Sequence, residues 1–415
     1  MAGDDLAAAI SGGIESVTGK WAKQRKAEER HANAYLRRRQ VMTRVRAVTI
    51  KDAAWDHMEA AYLKASAGGT LPANARQIMY AARPLILAAT GKDQLDDAYF
   101  PQVLLPDYIA ENRLEQQWDV AYDARGHFTE PHTGAAVSLG TLDVRRYVGD
   151  IAVGIDDPLD IGHLELDYPT VGPEHRYSAV LFLEKEGFTP LLRQAHLAER
   201  YDLAIMSTKG MSNVAARTLV DHLTTDGVRV FVARDFDKAG FSIAATLTGD
   251  TRRYAFTNEV DVVDLGIRLA DVHEYGLQPE PVYDRAAAWK VAANLRENGA
   301  TVEEITFLNG QRVELNAFTS DQFIAWLEAK LDGHDVEKVV PDTETLETAY
   351  RRALGRRAVN AKIDEIKAAI REEAAQTTIP DDLTVRVEAL LWDDPQMAWD
   401  TAVDEIAKQE NNQPS

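Results

Sequence analysis

The chain has no cysteine among its 415 residues, which removes disulfides, thiolate nucleophiles and cysteine-ligated zinc. It has no apolar run near the roughly 18 residues that a bilayer span needs, so no membrane-embedded segment is expected. The N-terminal "MAGDDLAAAISGG" lacks the basic start and longer apolar core of a secretion signal, and a cytoplasmic location is expected. Positive charge is scarce: 46 Lys and Arg stand against 66 Asp and Glu, a formal net charge of -20. Taken alone, that balance argues against a polyanionic partner. A nucleotide loop is also missing, because "GGIESVTGKW" is one residue too long in its spacing and carries Trp21 where Ser or Thr is needed.

The scarce positive charge is not evenly spread. From Lys20 to Arg46 there are ten Lys and Arg, against only Glu28 and Glu29. Such a segment, taken as residues 1–48, reads as a basic helical arm that could track a phosphate backbone through Lys23, Arg25, Lys26, Arg37, Arg38 and Arg39.

Residues 49–150 follow as a mainly helical unit. Ala53, Trp55, Met58, Ala61 and Tyr62 share one face of a helix that should stop at Gly68 and Gly69. Asn74 is placed to cap a second helix, with Pro84 near its end, and 101–112 supply a third. "WDVAYDARGHFTEPHTGAAVSLGT" then alternates apolar and polar residues and turns at Gly126 and Gly134, as a hairpin would. His127 and His132 fall in that turn, without the further clustered ligands that zinc requires. Helices followed by a hairpin wing is the plan of a winged-helix, CAP-like, DNA-binding domain.

From Tyr177 the pattern changes to alternating strand and helix. "SAVLFLEKE", "LAIMST" and "VRVFVARD" read as strands, and "FTPLLRQAHLAERY", "SNVAARTLVDHL" and "FSIAATLTG" as the helices between and after them. The expected fold class is α/β within a multi-domain α+β chain, with a Rossmann-like parallel sheet. The domain spans 151–335, including the strand-like "EEITFLNGQRVELNAFT". Residues 336–415 read as a helical extension ending in a polar, disordered "KQENNQPS".

Three acidic residues stand where such sheets place their function, beyond the carboxyl ends of strands. Glu184 ends the first strand; Asp235 and Asp237, on the same side of an extended chain, end the third. Carboxylates so close repel unless a cation lies between them, and a hard all-oxygen set suits Mg2+ or Mn2+. Glu186 reads as a solvated neighbour.

The strand-terminal Glu, the "TKG" turn at Lys209 and Gly210, and the Asp-x-Asp pair resemble the Toprim fold. "VLFLEKEGFTPLL", "STKGMSNVAARTLVDHL" and "ARDFDKAGFSI" further resemble the A subunit of type IIB topoisomerases (topoisomerase VI A) and its relative, the meiotic double-strand-break transesterase. "VVDLGIRLADV" and "QRVELNAF" resemble downstream segments of the same family, so the likeness covers roughly residues 50–335. The pattern departs at Gln77 and Met79, where the family has an acidic and an aromatic residue, and at Lys238 and Ala239.

The resemblance implies a winged-helix domain before the Toprim domain and a nucleophilic tyrosine. "ARQIMY" places Arg76 and Tyr80 at those positions. It further implies that Tyr80 becomes attached to a DNA 5' end, that Arg76 aids it, and that Glu184, Asp235 and Asp237 hold the metal, Glu184 serving alternatively as general acid. Lys209 and the basic arm would contact double-stranded DNA, giving a nucleoid-associated protein. A homodimer would place each tyrosine at the partner's Toprim site, and a separate ATPase subunit would be needed for strand passage. Two other readings are a Toprim nuclease using metal-activated water, like the nuclease of bacterial plasmid-defence systems, and a non-catalytic DNA-bridging protein.

Overall fold

The computed structural model describes residues 48–411 apart from 123–125, 153–162, 166–168, 171–172, 208–213, 250–254, 259, 283–287 and 377. Lys23, Arg25, Lys26, Arg37, Arg38 and Arg39 of the basic arm, and Lys209, lie outside the described residues.

Helix α1 (Ile50–Ala65) opens on a reciprocal cap, with Thr49 Oγ1 accepting the Asp52 N–H and Asp52 accepting the Thr49 N–H. It buries Trp55, Met58, Ala61 and Tyr62 on one face, as their spacing requires. Strand β1 (Ala73–Asn74) leads into α2 (Ala75–Thr90), where Asn74 is the cap: its side chain accepts the Arg76 N–H at 2.9 Å. The helix runs past Pro84 to Thr90. Pro84 has no N–H to give the Tyr80 carbonyl, so the turn holding Tyr80 lacks one helical bond. Helices α1 and α2 share a core in which Met58 and Ala65 join Ile78, Met79 and Ala82.

The third helix begins with a π-helical turn at Phe100–Leu104 before α3 (Leu105–Asn112). Strand β2 (Val120–Ala121) pairs parallel with β1. The expected hairpin forms from β3 (His127–Thr129) and β4 (Ala136–Ser138), with Gly134 at φ +70° between them, and α4 (Thr141–Ala152) follows.

The sheet contains β5 (Ala179–Leu183), β6 (Leu203–Ser207), β7 (Arg229–Ala233) and β8 (Val262–Asp264), all parallel in the order β6-β5-β7-β8. Every residue of β5 is buried. Ala179, Leu181 and Leu183 enter one core while Val180 and Phe182 enter cores on the other face, which is why the strand reads as unbroken apolar sequence. After β5 the chain moves outward to β6, then returns to the opposite side of β5 to form β7. The carboxyl ends of β5 and β7 thus flank a topological switch point, where α/β sheets leave a crevice.

One helix reading and one strand reading need correction. "FTPLLRQAHLAERY" is not one helix: α5 (Thr189–Gln194) and α6 (Leu197–Tyr201) are separated at His196, whose φ of +52° cannot continue a right-handed helix. Helices α7 (Val214–Thr225) and α8 (Gly240–Thr248) form as expected. Beyond β8 come α9 (Leu269–Glu274), β9 (Glu280–Pro281) and α10 (Ala288–Glu297). The strand-like stretch near 303 is instead α11 (Val302–Leu308), because Thr301 and Glu304 form a capping box that starts a helix there. Only β10 (Gln311–Arg312) is strand, antiparallel to β9, and α12 (Ser320–Asp332) follows.

The extension is helical as expected, with α13 (Thr343–Gln376), α14 (Leu383–Asp393) and α15 (Trp399–Asn411). Order reaches further into "KQENNQPS" than expected: α15 includes Lys408 to Asn411, and Lys408 pairs with Asp404 and Glu405 one turn back. Among the described residues no helix is long and apolar enough to cross a membrane.

The helical unit is fastened to the sheet domain by buried polar contacts. Gln77 accepts the Asn74 N–H at 2.8 Å and donates to the Phe318 carbonyl at 3.0 Å, while Ser320 Oγ donates to the Pro72 carbonyl at 2.7 Å. Substituting Gln77→Leu would strand a buried N–H and a buried carbonyl, so a loss of about 1–3 kcal/mol is expected. A urea titration reads this directly; an unchanged midpoint would show that the seam does not depend on Gln77.

Candidate active site

Glu184 follows β5 immediately, and its N–H still donates to the Ala233 carbonyl of β7 at 3.1 Å. Its carboxylate turns back to accept the Asp235 N–H at 2.9 Å, so the two strand ends are joined through the acidic residues themselves. Asp235 is buried: Oδ1 accepts the Leu315 N–H at 2.7 Å and Oδ2 meets Lys185 Nζ at 2.8 Å. Asp237 lies one turn before α8 and accepts the Gly240 N–H at 2.6 Å. The structure therefore gathers all three predicted acidic residues at the switch point, each with a fixing bond.

The loop bearing Asp235 is braced from beneath by Arg234, which is wholly buried. Its guanidinium donates to the Asp235 carbonyl at 3.0 Å, pairs with Asp264 at 2.6 Å and lies 3.7 Å from the centre of the Phe241 ring. On its open side the loop pairs with the segment after β10, where Phe236 and Val313 exchange backbone hydrogen bonds of 2.8 and 3.0 Å. That bridge delivers the Leu315 N–H to Asp235.

Electrostatics mark the cluster as strained. Burial, and then the charges of Asp235 and Asp237, raise the Glu184 carboxyl to about 7. Burial also pushes Asp235 upward, against the pull of Lys185. Crowded carboxylates of this kind are a donor set for a hard divalent cation, and Glu184 and Asp237 fit that role. Asp235 is also paired with Lys185. Among the described residues no three His, Asp or Glu side chains form a ready-made ligand cage.

Tyr80 and Arg76 sit on α2, against the same chain's sheet domain. The Arg76 guanidinium reaches Glu314 at 3.2 Å, and Glu314 also holds Arg312 at 3.1 Å and Lys185 at 2.8 Å. A continuous chain of charge thus runs from Arg76 through Glu314 and Lys185 to Asp235. Tyr80 is 3% exposed. Its hydroxyl lies beside Glu280 yet makes no well-formed hydrogen bond, and Arg83 lies over its ring, 4.8 Å from the centroid. Burial, followed by Glu314 and Glu280, pushes the phenol far above its usual range, with Arg76 a weaker opposing influence.

Sequence reasoning missed Lys185, Arg234, Glu280, Arg312 and Glu314. Lys185 adjoins Glu184, and "QRVEL" carried a signal of its own: in an extended chain Arg312 and Glu314 point to one side and Val313 to the other. Glu280 had none, because its role comes from lying directly across from Arg312 in the β9–β10 pair.

Gly240 is required by close approach. A Cβ there would stand 2.4 Å from the Asp235 carbonyl oxygen, a backbone atom with little room to yield. Gly240→Ala should destabilise the protein by about 1–3 kcal/mol, as overpacking does. A calorimetric melt measures the loss, and a wild-type melting temperature would mean that the Asp235 loop can move aside.

No curated protein matches the chain. Residues 179–331 match the family model for the Toprim domain of the topoisomerase 6 A subunit/Spo11 family. The match begins at β5 and ends within α12, so it takes in Glu184, Lys185, Asp235, Asp237, Glu280, Arg312 and Glu314. Toprim domains generally bind divalent metals such as Mg2+, and a Toprim domain of this family fits DNA cleavage. Residues 179–331 thus form a Toprim domain of the topoisomerase VI A/Spo11 type.

Proposed function

We propose that this protein is a metal-dependent DNA-cleaving enzyme that works by tyrosyl transesterification, with Tyr80 as nucleophile. The observation that carries cleavage is the placement of Glu184, Asp235 and Asp237 beyond the ends of β5 and β7, with Glu184 accepting the Asp235 N–H, inside the segment that matches the Toprim family model. The reading of Tyr80 rests on its position one turn after Arg76, on a helix tied to that site through Glu314 and Lys185.

In this reaction the Tyr80 oxygen bonds to phosphorus as the bond from phosphorus to the 3' oxygen breaks. The phenol loses its proton, and the 3' oxygen gains one. As an alternative to holding the metal, Glu184 would be the general acid that donates that proton. A divalent cation such as Mg2+ or Mn2+ held by Glu184 and Asp237, with Asp235, would supply charge neutralisation at the phosphate. The ester stores the bond energy for resealing.

The winged-helix reading of residues 49–150 gives the tyrosine a DNA-binding platform. A homodimer would set each tyrosine against the partner's acidic cluster, so that both strands of a duplex are cut. The basic arm and Lys209 would add phosphate contacts, and a separate ATPase subunit would drive strand passage.

Burial of the Tyr80 hydroxyl favours a second reading, in which the acidic cluster activates water and Tyr80 only packs. Supercoiled plasmid incubated with Mg2+ or Mn2+, stopped with detergent and run with and without protease, separates the two. Protein-linked breaks that fall to background in Tyr80→Phe are expected. Free-ended breaks that persist in that variant would transfer the assignment to hydrolysis, and no cleavage under any metal would favour a DNA-bridging role.

A further inference from the structure

Three arginines and two carboxylates meet around Tyr80 at the seam between α2 and the β9–β10 pair. Arg76 is spent on Glu314 at 3.2 Å, Arg312 on Glu280 at 2.8 Å and Glu314 at 3.1 Å, and Arg83 on Glu280 at 2.8 Å and Asp97 at 2.5 Å. Every one of these cations is engaged by a carboxylate, and Arg83, held by Glu280, lies over the phenol ring, 4.8 Å from its centroid. The arrangement is the reverse of what a nucleophilic tyrosine needs. A phenolate beside Glu280 and Glu314 would be a third negative charge in a site closed to water.

The seam joins parts of one chain that are far apart in sequence, and its bonds are of a kind that DNA can replace. Arginine forks accept a phosphodiester as readily as a carboxylate. Arg76 and Arg312 both have side chains 34% exposed, so a backbone phosphate could approach them from solvent. Pro84 leaves the Tyr80 turn one helical bond short.

We propose that Glu280 and Glu314 hold Tyr80 in a resting arrangement within its own chain. Before Tyr80 reacts, α2 must shed these two carboxylates, and Arg76, Arg83 and Arg312 pass to the DNA backbone. The device rests on the transesterase reading for its purpose, but its existence is measurable without cleavage.

The full-length protein, free of DNA, is nitrated with tetranitromethane, which attacks the phenolate, and the rate at each tyrosine is followed by peptide mass spectrometry. Tyr350, 66% exposed, is the internal reference. Tyr80 in the wild type should react at least about tenfold more slowly than Tyr350, the factor that one pKa unit represents. Glu280→Gln and Glu314→Gln, tested singly so that failure of one to fold leaves the other, should speed nitration of Tyr80 and raise the yield of protein-linked DNA ends. Wild-type Tyr80 reacting as fast as Tyr350 would overturn the proposal, as would Tyr80 rates unchanged in both variants. Should Tyr80→Phe cut DNA as well as the wild type, the transesterase reading fails, while the nitration rates still report whether the lock exists.

Discussion

Glu314 is a buried carboxylate shared by Lys185, Arg76 and Arg312, and most of what sets this molecule's arrangement passes through it. Burial alone would raise its pKa, but the surrounding cations, Lys185 foremost, hold it low and ionised. A charge so placed is tolerated only while every partner stays in position. Lys185 is in turn committed to Asp235, and Asp235 to the Leu315 N–H. The acidic cluster, the β10 segment and the tyrosine helix therefore form one electrostatic unit. Moving any one of them leaves an unpaired charge somewhere else.

This coupling gives the site two faces with different chemistry. Toward the crevice, Glu184 and Asp237 crowd each other with Asp235, a repulsion suited to a cation. Toward α2, burial first and then the carboxylates of the same network keep Tyr80 protonated. Glu280 remains ionised down to about 2: burial works against this, but bonds to Arg312 and Arg83 outweigh it. It is consequently a poor proton acceptor for the phenol and an effective brake on its ionisation.

The parts legible in the sequence were those set by local periodicity and by chain direction. Continuous apolar runs located β5 and β7, and strand-terminal acids located Glu184, Asp235 and Asp237. Asn74 announced the start of α2. What stayed hidden depended on distant pairing or on single backbone angles. Glu280 acquires its place from Arg312, 32 residues away, and no spacing rule reaches that far. The break at His196 comes from one left-handed residue, and α11 was masked because its apolar content suits a strand as well as a helix until the Thr301 and Glu304 cap is weighed. Burial of Tyr80 could not be read from "ARQIMY", since the covering carboxylates lie about two hundred positions or more downstream.

The decisive question is whether Tyr80 itself takes the DNA. Plasmid cleaved in the presence of Mg2+ can be digested with nuclease and trypsin, and the peptide bearing Tyr80 examined by mass spectrometry. A nucleotide adduct on Tyr80 is the expected result. Cut DNA accompanied only by the unmodified peptide would rule out a tyrosyl intermediate and leave the acidic cluster acting through water.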